Sequence, residues 1–259
     1  LLAAQRRAVY QAAAAEVAAS QAPVEKLIAS LGGVVTARIE GVNALGARVP
    51  ASALAELARH PAVASVTPET PAEGALNTSP LSINADAFWD GGYTGGVLDV
   101  AVIDTGVDVT HPAFAGHNFL QGTFLQTALQ VSPFLSDTTS NDINGHGTHV
   151  AGIVGSGDAV QRGVAYGFDT LLNAKAGYDP DGQPGGGSTM FPSDSMDAAE
   201  WAIFQAEQPA EVVNLSFAAC TSADDSNWAR FWDAIVGASG VTVAVAAGNN
   251  PPCARVADP

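Results

Sequence analysis

Positive charge is scarce in this chain. Ten Lys and Arg stand against twenty-six Asp and Glu among 259 residues, for a net charge of −16. Nucleic-acid binding needs clustered Lys and Arg to neutralise phosphates, so that class of function is excluded. No run of about 18 apolar residues occurs, and no membrane-spanning segment is expected. Cysteine is limited to Cys220 and Cys253, which allow one disulfide at most. There is no His-Glu-x-x-His segment, and no Asp-x-Asp-x-Asp-Gly loop with its closing Glu. The glycines of Gly91-Gly92-Tyr93-Thr94-Gly95-Gly96 precede an apolar run, whereas a phosphate-binding loop follows its strand.

What is present is enough for a large core, with 47% hydrophobic and 14% charged residues. The length allows one large domain or two smaller ones. Charge divides the chain. Residues 1–76 hold six basic residues and six Glu, which leaves four basic and twenty acidic residues beyond Leu76. All of the net negative charge therefore lies after this break. The sequence begins with Leu1 and not Met, so further chain is expected upstream. Leu1–Ser20 is Ala-rich with Arg, Gln and Glu interspersed, which reads as a helix and not as a signal-peptide core.

Residues 1–70 read as a small α/β unit. Helices over Leu1–Ala19 and Pro23–Ser30 stop at Gly32-Gly33, followed by strands Val34–Ile39 and Leu45–Val49. A helix over Ala53–Arg59 and a last short strand, Val63–Val66, complete it. Glu69–Pro80 has linker composition. From Leu81 the pattern becomes α/β. Val97–Ile103, Leu171–Ala176, Val212–Leu215 and Val241–Ala246 are short apolar runs suited to buried parallel strands. Val150–Val154, Met196–Gln208 and Trp228–Val236 are the helices between them. Leu120–Asn144 and Gly177–Ser195 read as long loops.

Two short segments carry the chemistry. Val100-Ala101-Val102-Ile103-Asp104-Thr105-Gly106 puts Asp104 at the C-terminal end of a strand, where open α/β sheets gather their ligands. Asn144-Gly145-His146-Gly147-Thr148-His149-Val150-Ala151-Gly152-Ile153 sets His146 between two glycines, which permit a sharp turn and close approach of substrate. Zinc held by Asp104, His146 and His149 is disfavoured because no metal-protease signature accompanies them. His149, three residues on, is expected to pack near the site.

Together these segments resemble the Asp and His segments of subtilisin-like serine proteases, whose triad runs Asp, His, Ser along the chain. The resemblance implies a mostly parallel α/β sheet flanked by helices. It implies that Asp104 orients His146, and that His146 moves the proton of a serine. Val243-Ala244-Val245-Ala246-Ala247-Gly248-Asn249-Asn250 is similar to the family segment whose Asn donates to the oxyanion, which points to Asn249. Val212-Val213-Asn214-Leu215-Ser216-Phe217 resembles the strand beside the cleft, so Ser216, Phe217 and Ala218 are expected to bind extended peptide. Phe217-Ala218-Ala219 stands where the family has Leu-Gly-Gly, and Tyr166 where it has Pro.

No Gly-Thr-Ser-x-Ala segment occurs before Pro259. The nucleophile is therefore expected on a C-terminal remainder, which would also cover the open sheet edge. Leu57-Ala58-Arg59-His60-Pro61-Ala62-Val63-Ala64-Ser65-Val66-Thr67-Pro68 looks like the end of a subtilase propeptide. Residues 1–76 are thus expected to be a folding and inhibitory domain with its linker, and 77–259 the first part of the catalytic domain. Maturation should cut within Glu69–Pro80.

Cys220 and Cys253 each follow a strand of the expected sheet. They form either one disulfide, suited to an oxidising compartment, or two small core residues. The chemistry needs no cofactor. Structural calcium is common in the family, and Asp137, Asp142, Asp179 and Asp181 are loop candidates for it. The implied substrate is protein or peptide, and the implied location secreted or extracellular. A non-catalytic peptide-binding protein on the same scaffold is the alternative.

Overall fold

The computed structural model describes residues 2–69, 72–74, 83–131, 139–180, 187–218 and 227–248. The alanines that favour helix form α1 (Leu2–Ser30), which runs through Pro23 without a break. Two helices were the sequence expectation, and one is found. A proline inside a helix costs about 3 kcal/mol, and tertiary contacts on both sides of Pro23 offset it. Gln21 Nε2 donates to the carbonyls of Ile39 and Ala44, and Val24 and Ile28 pack with Ala53 and Leu57. Gly32, with φ 77°, ends the helix as the Gly32-Gly33 pair predicts, and the Gly33 amide reaches back to the Ile28 carbonyl.

β1 (Val34–Ile39) and β2 (Ala44–Arg48) form an antiparallel hairpin that turns through Asn43, φ 51°. A 3₁₀ turn at Ala51–Ala53 leads into α2 (Leu54–Leu57). The strand expected at Val63–Val66 is absent. Val63 packs against the α1–α2 cluster and takes no place in a ladder. Inside the expected linker lies β3 (Ala72–Gly74), then α3 (Ala85–Asp90).

The body follows in chain order: β4 (Asp99–Asp104), β5 (Asn118–Thr123), α4 (Gln126–Val131), α5 (His146–Gly155), β6 (Thr170–Lys175), β7 (Gly177–Tyr178) and β8 (Thr189–Met190). Then come α6 (Pro192–Glu200), a π-helical turn at Trp201–Gln205, β9 (Val212–Leu215), β10 (Phe217–Ala218), α7 (Asn227–Ser239) and β11 (Thr242–Val245). Five strands make a wholly parallel sheet in the order β11-β9-β4-β6-β5.

Alternation along β4 explains the layers. Ala101 and Ile103 face the cluster built with α6, α7, Leu172, Val213 and Leu215. Val100 and Val102 face the opposite cluster, with Val150, Ala151, Phe114 and Phe168. Ala37 and Ile39 of β1 join the first cluster, so the N-terminal hairpin is seated on α6. The loop expected over Leu120–Asn144 instead holds most of β5 and all of α4. Asn118-Phe119-Leu120-Gln121-Gly122-Thr123 has no strand-like alternation, and its ladder with β6 is what orders it.

A second sheet, β10-β3-β8-β7, is antiparallel throughout. It takes in parts of both the expected linker and the expected Gly177–Ser195 loop. Gly74 lies opposite Phe217, Glu73 opposite both Ala218 and Thr189, and Ala72 opposite Met190. Among the described residues, no helix is long and apolar enough to cross a membrane.

Candidate active site

Asp104 ends β4 with 1% of its surface exposed. His146 opens α5 immediately after Gly145, whose φ of 98° turns the chain into the helix. Strand end and helix start meet with His146 Nδ1 2.7 Å from Asp104 Oδ1. The Thr105 amide donates to the same oxygen at 2.8 Å. His146 Nε2 is buried and has no hydrogen-bond partner among the described residues. The ring stands edge-on to Phe217, with centroids 5.4 Å apart. One imidazole nitrogen is thus held by a carboxylate while the other is left to exchange a proton.

Gly147 is needed for a reason other than substrate access. A Cβ there would collide with the Gly106 carbonyl and meet Asp104 at 3.1 Å, so its bareness lets α5 close on the end of β4. Gly106 has φ 105°, which other residues rarely adopt.

Asp142 organises the approach to His146. Oδ1 accepts from the Thr105 hydroxyl at 2.9 Å and from the Asn144 and Gly145 amides at 3.1 and 2.9 Å. Oδ2 accepts from the Thr148 amide at 2.8 Å and its hydroxyl at 2.6 Å. Five donors aimed at one carboxylate serve the loop and do not fit a calcium ligand, whose lone pairs must face the cation. Asn144 Nδ2 in turn donates to Asp179 Oδ2 at 3.0 Å. The sequence reading took Asp142 only as a metal candidate. Its signal as a turn-former was present in Asp142-Ile143-Asn144-Gly145, where an Asp side chain can bind amides two and three residues on.

Burial of the His146 ring alone would lower its pKa. The hydrogen bond and charge of Asp104, aided by the charge of Asp142, outweigh that and raise it above its ordinary value. Burial pushes the Asp104 carboxyl up, against the pull of His146 and the Thr105 amide.

Other expected site residues are distributed as follows. Ser216 is buried, and its hydroxyl accepts from Asn214 Nδ2 at 2.9 Å. Phe217 is fully buried, and with Ala218 it pairs with β3. The Ala218 methyl, where the family has glycine, does not prevent this ladder. Tyr166 packs on Trp89 and lies under Arg162, 4.6 Å from its ring, in contacts that involve none of the site residues. His149 is exposed and does not pack at the site. Asn249, Cys220, Cys253, Asp137 and Asp181 lie outside the described residues.

The model of the Subtilase family matches residues 96–259. Subtilisin E of Bacillus subtilis (strain 168) is 33% identical over 143 residues, covering 53% of this chain and 34% of the relative. The thermophilic serine proteinase of Bacillus sp. (strain AK1) is 32% identical over 174 residues, covering 66% and 38%. Minor extracellular protease Vpr of Bacillus subtilis (strain 168) is 31% identical over 165 residues, covering 60% and 18%. The chain therefore spans well under half the length of each of these relatives. With the match extending over more than half of the chain, and the aspartate and histidine segments meeting as described, the chain belongs to the subtilase family.

Proposed function

We propose that this chain is a proenzyme fragment of a secreted subtilisin-like serine endopeptidase, a propeptide with the N-terminal part of the catalytic domain, with the serine on a C-terminal remainder. The contact between Asp104 Oδ1 and His146 Nδ1 carries this reading. The carboxylate selects the tautomer with hydrogen on Nδ1 and leaves Nε2 to act as base. His146 takes the proton of the serine as its oxygen attacks the peptide carbonyl. It then returns that proton to the leaving amine, and water hydrolyses the acyl-enzyme by the same route. Asn249 is proposed as the donor to the oxyanion, and no cofactor takes part.

Residues 1–76 are proposed as the propeptide and linker, and 77–259 as the first part of the catalytic domain. The register of β3 supports this. An extended segment from the proposed linker lies antiparallel between β8 and β10, the position a peptide substrate would take by strand addition. The C-terminal remainder is proposed to cover β11, an edge of the parallel sheet whose Val245 is 39% exposed. The similarity to minor extracellular protease Vpr agrees with secretion. The same groove would suit a non-catalytic peptide-binding protein, and the full-length sequence distinguishes the two by whether it carries the serine.

Intact mass spectrometry of the native, full-length protein after a fluorophosphonate probe is the test. A labelled serine-bearing chain or fragment is expected. Absence of labelling in protein that still binds extended peptide would replace the enzyme reading with the binding one.

A further inference from the structure

The N-terminal segment meets the body of the molecule at a corner short of protons. Tyr10 of α1 places its hydroxyl 2.7 Å from Glu40 Oε2 and 2.8 Å from Glu200 Oε2. Glu40 follows β1, whereas Glu200 ends α6 and is 0% exposed. Glu200 Oε1 accepts from the Gly41 amide at 2.5 Å, and Oε2 from the Glu40 amide at 3.3 Å. Gln205 Nε2 donates to the Tyr10 oxygen at 3.2 Å.

A phenol has one proton to give. It can serve one of these carboxyls. The other must then carry a proton of its own, or face the phenol oxygen unbonded. Two carboxylates converging on one phenol, one of them sealed from water, do not both ionise cheaply. Arg7 donates to the carbonyls of Phe204 and Ala206, and Arg38 pairs with Glu25 while its charge also acts on Glu40, which leaves Glu200 as the acid of the two that bears the proton. Asp197, on α6, adds a further acid, pushed up to about 6 by burial and then by the charge of Glu40. From α7 come the apolar Phe231 and Ile235, both near Gly41.

We propose that Glu40, Tyr10 and Glu200 hold one proton beyond the phenol's own, which clasps the N-terminal segment to the body, so that the clasp loosens as pH rises. The proton resides on Glu200. Burial pushes this carboxyl up to about 8, with the Gly41 amide opposing and the hydrogen bond to Glu40 assisting. Burial and the two carboxylates push the Tyr10 phenol up as well, so it keeps its own proton.

When the corner opens, Glu200 regains water and returns toward the ordinary value of 4.5. Closing therefore takes up a proton between the two values. The clasp is complete below the lower one and weakens about tenfold per pH unit above it. Its proton-linked part is lost as pH rises through the upper value. Glu69 acts with the same sign, since it accepts from the Ser193 amide at 2.5 Å and is pushed up by burial. The consequence for maturation, release of an inhibitory segment above neutral pH, rests on the protease reading. The clasp itself does not.

Hydrogen exchange of the Gly41 amide in the full chain reads the clasp, since that N–H donates to Glu200. Its protection, corrected for intrinsic exchange, should fall about tenfold per pH unit through the neutral range. Glu200→Gln should flatten that fall, and Glu40→Gln, at a less buried position, should reduce it. The Glu200 carboxyl carbon, followed by NMR in the parent, should titrate well above 4.5, a result that depends on no variant folding. Protection independent of pH in the parent, a Glu200 titration at the ordinary value, or an undiminished slope in both variants overturns the proposal. Neither readout involves acyl transfer, so the clasp and the protease assignment can fail separately.

Discussion

Asp104 ends strand β4 and Glu200 ends helix α6, and both are sealed from water. Asp104 is answered by an imidazole at 2.7 Å and an amide at 2.8 Å, so its charge has a partner that can become a cation. Glu200 is answered by two amides, a phenol and a second carboxyl, none of which can supply positive charge. The same burial that both acids resist therefore has two outcomes. One site keeps an anion that orients a base, and the other keeps a proton that joins two parts of the chain.

Removing the imidazole is the strongest way to break that contrast. In the serine-bearing protein, His146→Ala should lower peptide hydrolysis by about 10⁴–10⁶-fold, with an unchanged circular dichroism spectrum. Asp104 should then retain a proton as Glu200 does, visible as an upfield-shifted carboxyl carbon near neutral pH. Retained hydrolysis in that variant removes His146 from the mechanism.

Asp104→Asn comes next, with an expected loss in kcat of about 10⁴-fold. His146 is raised above 6.5 and must be neutral to accept a proton, so the acid limb of the pH–rate profile lies above that value. The limb should move to lower pH in the variant. The stability from the raised imidazole is complete below its ordinary value and is lost as pH rises through the raised one. A parent thermal midpoint that shows no such decline would break the link between the pair and stability.

Asp142→Asn tests whether the second carboxylate is part of the paired site. Loss of charge-assisted bonds to Thr105, Thr148 and the loop amides should cost about 1.5–3 kcal/mol in urea unfolding. It should also lower the imidazole pKa in an NMR titration. A solvated surface Asp would do neither. The smallest effect expected is from Ala218→Gly, about 0.5–1 kcal/mol from glycine in a strand. Its thermal midpoint should fall slightly while the β3 pairing survives.

Much of the paired site was legible in the residues. Asp104 follows four apolar residues, which predicts a strand end, and the Gly145-His146-Gly147 spacing marks the turn into α5. The reason for Gly147 was not legible, because the carbonyl that excludes a side chain there belongs to Gly106, 41 positions earlier. The role of Asp142 was half visible, since its bonds to Asn144 and Gly145 are local and its bond to Thr105 is not. Val63–Val66 has strand composition yet takes no place in a ladder, whereas Asn118–Thr123 lacks strand pattern and forms one with β6. In each case pairing across the fold overrode local preference.

By itself the sequence determined the parallel α/β body, the helix stop at Gly32, the family and the identity of the aspartate and histidine. These are encoded in short runs whose physics is local: apolar strands, glycine turns and spacing along one segment. Tertiary structure alone decided that α1 continues through Pro23, that Ala72–Gly74 lies as a strand between β8 and β10, and that Glu40 meets Glu200 at Tyr10. Those features join residues tens to nearly two hundred positions apart. Their energies come from burial and from the count of donors and protons at a contact, which no stretch of sequence contains until the chain has folded.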